Sequence, residues 1–295
     1  MQHLIGNSFY FHSQSTIGGY KIGNELILFD TGNDDSSIRK AIREFENISV
    51  IGVFNTHSHA DHCGGNAYLA KQFGMPIFAP ELEKSFIENP ILEPTYLFSA
   101  SPPSSLQNKF LMAKPSVVTN AIYDETPIDV EFKDEVIQLL PICLKGHSPN
   151  QFAYITPDLI AYLGDALIST EMIEKHPLIF TFDVGEHIKS LNRLRTIEAK
   201  GYVIAHGGYF TQINDMIDSN LEALMNTQET ILSAIKNEKL TFDELHRKIA
   251  FIYKLTENLS QNLLNRSVIH AHVKYLLDLD LIKPEINQGI LYLTK

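Results

Sequence analysis

Three imidazoles and a carboxylate fall within six residues, His57-Ser58-His59-Ala60-Asp61-His62. Crowded together alone, the rings would desolvate one another, whereas a divalent ion uses their nitrogens as ligands and balances the carboxylate. His57 and His59, two apart in extended backbone, point to one side and can share an ion. Asp61 and His62 lie past the bend, so donors for a second ion are present. Cys63 reads as a small packed residue, and Gly64-Gly65 lets the backbone pass close to the site and open a helix whose positive N-terminus faces it. Two cysteines in all, Cys63 and Cys143, make neither a disulfide scaffold nor an all-cysteine zinc site.

One run cannot saturate two ions, and further donors stand at strand ends. Gly146-His147-Ser148 follows the apolar strand Val136 to Leu140, Gly164-Asp165 follows Leu159 to Leu163, and His206-Gly207-Gly208 follows Tyr202 to Ala205. Each donor sits just beyond an apolar strand and beside glycine, as expected of a site built at one edge of a sheet. Five of the 12 histidines are arranged this way. His270 and His272, inside a helical apolar stretch, read as surface or packing residues instead.

The elements that must position these donors follow from periodicity. With 295 residues, 44% hydrophobic and 20% charged, the chain is a folded protein of one large domain with an appendage, or of two domains. Phe9 to Phe11, Thr16 to Ile22 and Glu25 to Phe29 read as a strand meander closed by Asp30-Thr31-Gly32. Asp35 to Phe45 reads as a helix capped by Asp34 or Asp35, Val50 to Phe54 as a buried strand, Gly65 to Phe73 as a helix and Pro76 to Ala79 as a strand. Residues 80–127 break the rhythm: they hold seven of the 13 prolines together with several aromatics, and read as an inserted, partly ordered flap lying on the body. Ile128 to Phe132, Val136 to Leu140, Ala153 to Thr156 and Leu159 to Leu163 form a second meander, followed by a helix from Glu186 to Glu198 and a strand at Tyr202 to Ala205. Beyond Gln212, helices are predicted over Ile213 to Ile235, Phe242 to Tyr253, Glu257 to Leu264 and Ser267 to Leu279, with Lys283-Pro284 ending the last and Ile290 to Leu293 forming a terminal strand.

The donor pattern H-x-H-x-D-H, followed by separate His, Asp and His positions, resembles that of the metallo-β-lactamase fold superfamily, and all seven positions are matched. The resemblance covers about residues 1–210. It implies an α/β (α+β) fold, the αββα sandwich, with a catalytic domain over 1–211 and a C-terminal helical, winged-helix-like region over 212–295, similar to the tail of lactamase-beta-2-like proteins. It also implies that His57, His59 and His147 bind one metal, that Asp61, His62 and His206 bind the other, and that Asp165 bridges them. A carboxylate at the second motif position goes with di-iron members of the superfamily; this chain has His59 there, and an imidazole-rich set favours two Zn2+ over iron or manganese. Asp30 resembles the aspartate turn with which the family supports a ligand.

The expected enzyme is a binuclear zinc-dependent hydrolase whose metal-bridged hydroxide cleaves an ester, thioester, lactone or related acyl bond. Asp165 and Asp61 are the catalytic carboxylates, the first holding the metal pair and the second passing a proton to the leaving group. A small-molecule acyl substrate is favoured because the flap, the loop Ser169 to Asp183 with His176, Phe180 and Phe182, and Tyr209 would line the site with aromatic surface. The alternative is a metal-dependent phosphodiesterase or endoribonuclease of the same fold. Charge disfavours nucleic acid: the chain carries −11, and residues 212–295 hold nine Lys or Arg against eleven Asp or Glu. A non-catalytic binding protein or a mononuclear iron oxygenase is opposed by the second-site donors Asp61, His62 and His206. The N-terminal residues lack the marks of an export signal and no stretch of 18 apolar residues follows, so a cytoplasmic location without a membrane partner is expected. Apolar stripes on the C-terminal helices need a partner surface, supplied within the chain or by a homodimer.

Overall fold

The structure is a computed structural model describing residues 1–45, 47–256 and 258–295. Its first sheet runs in the order β1 (Gln2–His3), β2 (Ser8–Phe11), β3 (Ile17–Ile22), β4 (Glu25–Phe29), β5 (Ser49–Phe54), β6 (Ile77–Pro80) and β7 (Asn120–Ile122). The meander β2 to β4 is antiparallel, whereas β4, β5, β6 and β7 pair in parallel. Parallel neighbours require crossovers. These are α1 (Asp35–Ile42), then α2 (Ala60–Cys63) with α3 (Asn66–Phe73), then α4 (Glu81–Glu88) with α5 (Leu92–Phe98).

The second sheet runs β8 (Ile128–Glu131), β9 (Val136–Cys143), β10 (Phe152–Ile155), β11 (Ile160–Tyr162), β12 (Gly201–Ile204) and β13 (Gly208–Phe210). Its parallel pair, β11 with β12, is bridged by α6 (Thr170–Lys175) and α7 (Val184–Leu194). Between the sheets the strands bury one aromatic-rich layer, where Phe29 stacks on Tyr162 at 4.2 Å between ring centres. Tyr162 keeps its hydroxyl satisfied there by donating to the carbonyls of Phe9 (2.9 Å) and Gly19 (2.8 Å). On its outer face the first sheet packs against Ile38 and Ala41 of α1 and Leu69 of α3, and the second against Leu191 and Leu194 of α7. The result is helices, sheet, sheet, helices.

The remainder is α8 (Asn214–Ile235), β14 (Leu240–Thr241), α9 (Phe242–Tyr253), α10 (Leu259–Asp278), β15 (Lys283–Asn287) and β16 (Ile290–Thr294). α8 serves two cores at once: Met216, Ile217 and Leu224 lie on the second sheet, while Ile231 and Ile235 join Leu245, Ile249, Ile269 and Val273 of the C-terminal helices. No helix among the described residues is long and apolar enough to cross a membrane.

Several elements differ from the sequence reading. Residues 80–127 contain α4, α5, a short 3-10 helix at Ser104–Leu106 and β7, which completes the parallel sheet. Pro80 and Pro103 precede helices and Pro94 lies in the first turn of α5, where a missing N–H breaks no ladder. The two helices expected over Glu257 to Leu264 and Ser267 to Leu279 are one, α10, running through Asn265-Arg266 without interruption. Asn258 caps it by accepting from Gln261 N at 2.9 Å; Glu257 itself lies outside the described residues. Lys283-Pro284 does not end that helix but sits in β15, at the edge of a three-stranded wing where proline is tolerated.

Candidate metal centre

The seven donors are brought together at one edge of the sandwich. β5 delivers His57, α2 starts beyond His59 and carries Asp61 and His62, and His147, Asp165 and His206 follow β9, β11 and β12. Two glycines make the approach fit. Gly146 adopts φ 126°, and a Cβ there would sit 2.2 Å from the backbone of His187. A Cβ on Gly64 would meet the Asn33 carbonyl oxygen at 2.2 Å, so the close passage expected at this glycine is to the 32–33 turn.

His59 Nδ1 lies 2.9 Å from His57 Nε2 and 3.1 Å from His147 Nε2. Asp61, His62 and His206 form a second group, with His206 Nε2 3.3 Å and His62 Nε2 3.7 Å from Asp61 Oδ2. Asp165 Oδ2 stands between the groups, 3.5 Å from His147 Nε2, 3.6 Å from His62 Nε2 and 3.4 Å from His206 Nε2. Its other oxygen is buried with no hydrogen-bond partner.

In four of the five histidines the ring nitrogen facing away from the centre is engaged, which fixes how those rings are turned. His57 Nδ1 donates to Thr56 Oγ1 (3.0 Å), whose own hydroxyl donates to Asp30 (2.8 Å). His62 Nδ1 donates to Asp30 Oδ2 (2.7 Å), His147 Nδ1 to the Phe180 carbonyl (3.2 Å) and His206 Nδ1 to the Gln14 carbonyl (3.0 Å). The Nε2 atoms of these four rings therefore face inward, as in histidines that hold a metal. One proton on His59 Nδ1 could satisfy one of its two neighbours; a shared cation satisfies all three nitrogens. The residues present fit a metal.

The electrostatics agree. Burial, reinforced by His62, His59 and His147, holds His57 well below the ordinary histidine pKa. Burial likewise lowers His147. In the second group burial opposes protonation of His62, but Asp61, Asp30 and Asp165 together raise it well above the ordinary value. Asp165, with Asp61, carries His206 up to about 10. One half of the site thus presents neutral donors and the other half negative charge that attracts a cation.

Asp30 contacts one candidate donor, His62, directly and another, His57, through Thr56. Its backbone takes φ 60°, and its carboxylate accepts from Thr56 N (2.8 Å), Thr56 Oγ1 and His62 Nδ1. Replacing it with Asn puts an amide that cannot accept from all these donors beside His62, so Asp30→Asn is expected to weaken metal binding by about 10–100-fold. A zinc–chelator competition titration measures this, and unchanged affinity would remove Asp30 from the support of His62.

Glu83 has no counterpart in the sequence reading. On α4, fully buried, it accepts from Ser58 N (3.0 Å) and Ser58 Oγ (2.5 Å) with one oxygen, and from Ser148 Oγ (2.7 Å) and Asn150 N (2.8 Å) with the other. It ties the loop of His57 and His59 to that of His147. Nothing local marks it, since a glutamate in the first turn of an amphipathic helix is ordinarily solvated. Cys63 is buried, as expected, with Sγ donating to the carbonyls of Ser58 (3.2 Å) and His59 (3.4 Å). His272 is a packing residue at 1% exposure.

A cavity of about 390 Å³ opens on His147, Asp165 and His206. Of the aromatic residues expected to line it, His176 and Phe180 do, and Phe180 also lies edge-on to His59 at 5.3 Å. Phe182 instead meets Tyr96, and Tyr209 packs with the inter-sheet layer. No residue of 80–127 is among those lining the cavity. The C-terminal helices contribute instead, through Tyr253, Lys254 and Leu255 at the end of α9 and Gln261 and Asn265 on α10.

The family model described as "Metallo-beta-lactamase superfamily" matches residues 13–206. The "Probable metallo-hydrolase YybB" of Bacillus subtilis is 26% identical over 197 residues, covering 63% of this chain and 78% of that protein. A ribonuclease J of Mycoplasma genitalium is 36% identical over 80 residues, 23% of this chain and 14% of its own. Among solved structures, a metallo-beta-lactamase family protein from Thermus thermophilus superposes with a TM-score of 0.73 at 17% identity, covering 95% of this chain and 94% of that one.

Proposed function

The chain belongs to the metallo-beta-lactamase superfamily and is a metal-dependent hydrolase, and from that premise we propose that it works with two zinc ions on an ester, thioester, lactone or related acyl bond. The observation that carries the two-metal reading is the position of Asp165 Oδ2, within 3.4 to 3.6 Å of ring nitrogens from both donor groups. His57, His59 and His147 would hold one ion, and Asp61, His62 and His206 the other. When bound, such a pair lowers the pKa of water toward about 7 and polarises the bond under attack.

The chain's own residues do the rest. Thr56, Asp30 and the carbonyls of Phe180 and Gln14 keep the ring nitrogens aimed inward, so no reorganisation is needed when charge develops. Asp61 is the more exposed of the two inner carboxylates, 29% against 7% for Asp165, and in this reading it passes a proton to the leaving group. Ile168, Met172, Leu178, Ile179, Phe180 and Leu255 put apolar side chains on a mixed lining, which leaves an acyl chain a surface to meet beside polar groups. Elemental analysis, with a rate screen across thioesters, lactones, phosphodiesters and RNA, tests the reading. About two zincs per chain and turnover of an acyl substrate are expected; turnover of phosphodiesters alone would replace it.

The ribonuclease reading has one observation behind it, the partial match to ribonuclease J. Against it stands the net charge of −11, which gives counterion release little to act on. Fluorescence anisotropy with a labelled single-stranded RNA is expected to show little binding at physiological salt. Submicromolar, salt-sensitive affinity would move the nuclease ahead of the acyl hydrolase.

A further inference from the structure

Building on the acyl-hydrolase reading, we propose that the substrate is itself anionic, bearing a carboxylate or phosphate on a short apolar chain, and that Lys175 and Lys254 bind this charge while the acyl group meets the metal centre. Both lysines line the cavity that opens on His147, Asp165 and His206. They come from opposite parts of the chain: Lys175 ends α6, and Lys254 ends α9 in the left-handed conformation at φ 51°. Neither makes an ion pair among the described residues, and the one carboxylate on the described lining is Asp165, already surrounded by His62, His147 and His206. In a chain with eleven more acidic than basic residues, two uncommitted cations on the wall of this cavity are a local reversal of sign. Such a reversal concentrates anions at the site and orients them.

The neighbours of the lysines narrow the class. Leu178, Ile179 and Phe180 share the lining, which offers apolar contact to a chain connecting the two ends of a substrate, and Gln261 and Asn265 add neutral hydrogen-bonding groups. About 390 Å³ accommodates one small molecule. A polynucleotide would need a basic track leading away from the site, and the overall charge opposes one. The ligand is therefore a compact acyl compound with an anionic terminus. Because two lysines are recruited from α6 and α9, binding such a compound also makes the C-terminal helices part of the substrate site.

The test compares zinc-loaded wild type with the Lys175→Ala/Lys254→Ala variant on three N-acetylcysteamine thioesters: butyryl, glutaryl and 4-phosphonobutyryl. Wild type is expected to favour at least one anionic thioester over butyryl by about tenfold in kcat/KM, the scale of a charge-assisted contact. The double variant should bring that ratio close to one, and the Lys→Arg pair should restore part of it. The better of the two anionic compounds distinguishes carboxylate from phosphate. Equal kcat/KM for all three in wild type overturns the anion site and leaves the acyl-hydrolase reading standing. If none is hydrolysed the acyl reading fails, and calorimetric titration with glutarate against its neutral isostere glutaramide decides the anion site separately. Tighter glutarate binding that disappears in the double variant upholds it, and equal binding refutes it. Lysine-dependent, submicromolar binding of single-stranded RNA would likewise overturn the compact-ligand assignment.

Discussion

Asp165→Ala is expected to strip metal from both halves of the centre and to abolish turnover. The side chain is 7% exposed, and its Oδ2 is the atom close to His147 in one donor group and to His62 and His206 in the other. Its Oδ1 is buried without any hydrogen-bond partner, a placement that otherwise leaves a desolvated acceptor unrewarded. Alanine removes the negative charge that separates the inner imidazoles, so the effect should exceed the about 10–100-fold loss typical of groups that merely support a ligand. His206→Ala provides the contrast. It leaves His57, His59 and His147 intact and should keep about one metal while losing activity. Elemental analysis of both variants separates the cases, and full two-metal occupancy in Asp165→Ala would refute the shared-carboxylate assignment.

The second large effect is expected at Glu83, remote from the ligand sequence motif. Its carboxylate receives four donors, two of them the backbone N–H groups of Ser58 and Asn150, and all of them are next to or near metal-centre histidines. Glutamine keeps the size but presents one acceptor oxygen and one NH2 group. Serine hydroxyls can rotate to suit an NH2, whereas a backbone N–H cannot, so one buried donor is left unpaired at about 1–3 kcal/mol. Because the loss falls between His57/His59 and His147, Glu83→Gln should weaken the three-histidine site by about 10–100-fold while sparing the Asp61, His62 and His206 group, which Asp30 and Gln14 orient. Stepwise cobalt titration followed by absorbance resolves the two sites. If both sites keep wild-type affinity while only thermal stability falls, Glu83 is a fold residue without a part in the metal centre.

The tolerance of the fold to both substitutions rests on where its core lies. The aromatic layer of Phe29, Phe54, Tyr154 and Tyr162 sits between the sheets, whereas the donors project from strand ends. Side chains of that size, fully buried, each contribute roughly 1.5–3 kcal/mol, and none of them is disturbed. Metal content and activity should therefore change further than unfolding does.

Much of this was legible because it is local. Four potential metal donors within six residues stand out whatever the fold, and a donor beside glycine just past an apolar strand carries its own signal three more times, at His147, Asp165 and His206. The apolar strand at Val136 to Leu140 and the capping by Asp34 are likewise properties of neighbouring residues. The break expected before Ser267 failed for the complementary reason. Serine caps helices in general, but here Val268, Ile269 and Leu276 pack into the core and hold the helix continuous through it.

The sequence alone determined the two meanders, the gathering of candidate donors at strand ends and the helices over 213–253, since these arise from residue chemistry and short-range periodicity. Only the tertiary structure decided that Glu83 is buried against Ser58 and Ser148, that Asn120–Ile122 joins the first sheet, and that the cavity beside the candidate metal centre is walled by Lys254, Gln261 and Asn265 rather than by residues 80–127. The physical reason is the same in each case. Whether a polar side chain on an amphipathic helix faces water or a cavity depends on what docks against it, and that partner lies tens to hundreds of positions away, beyond the reach of any local pattern.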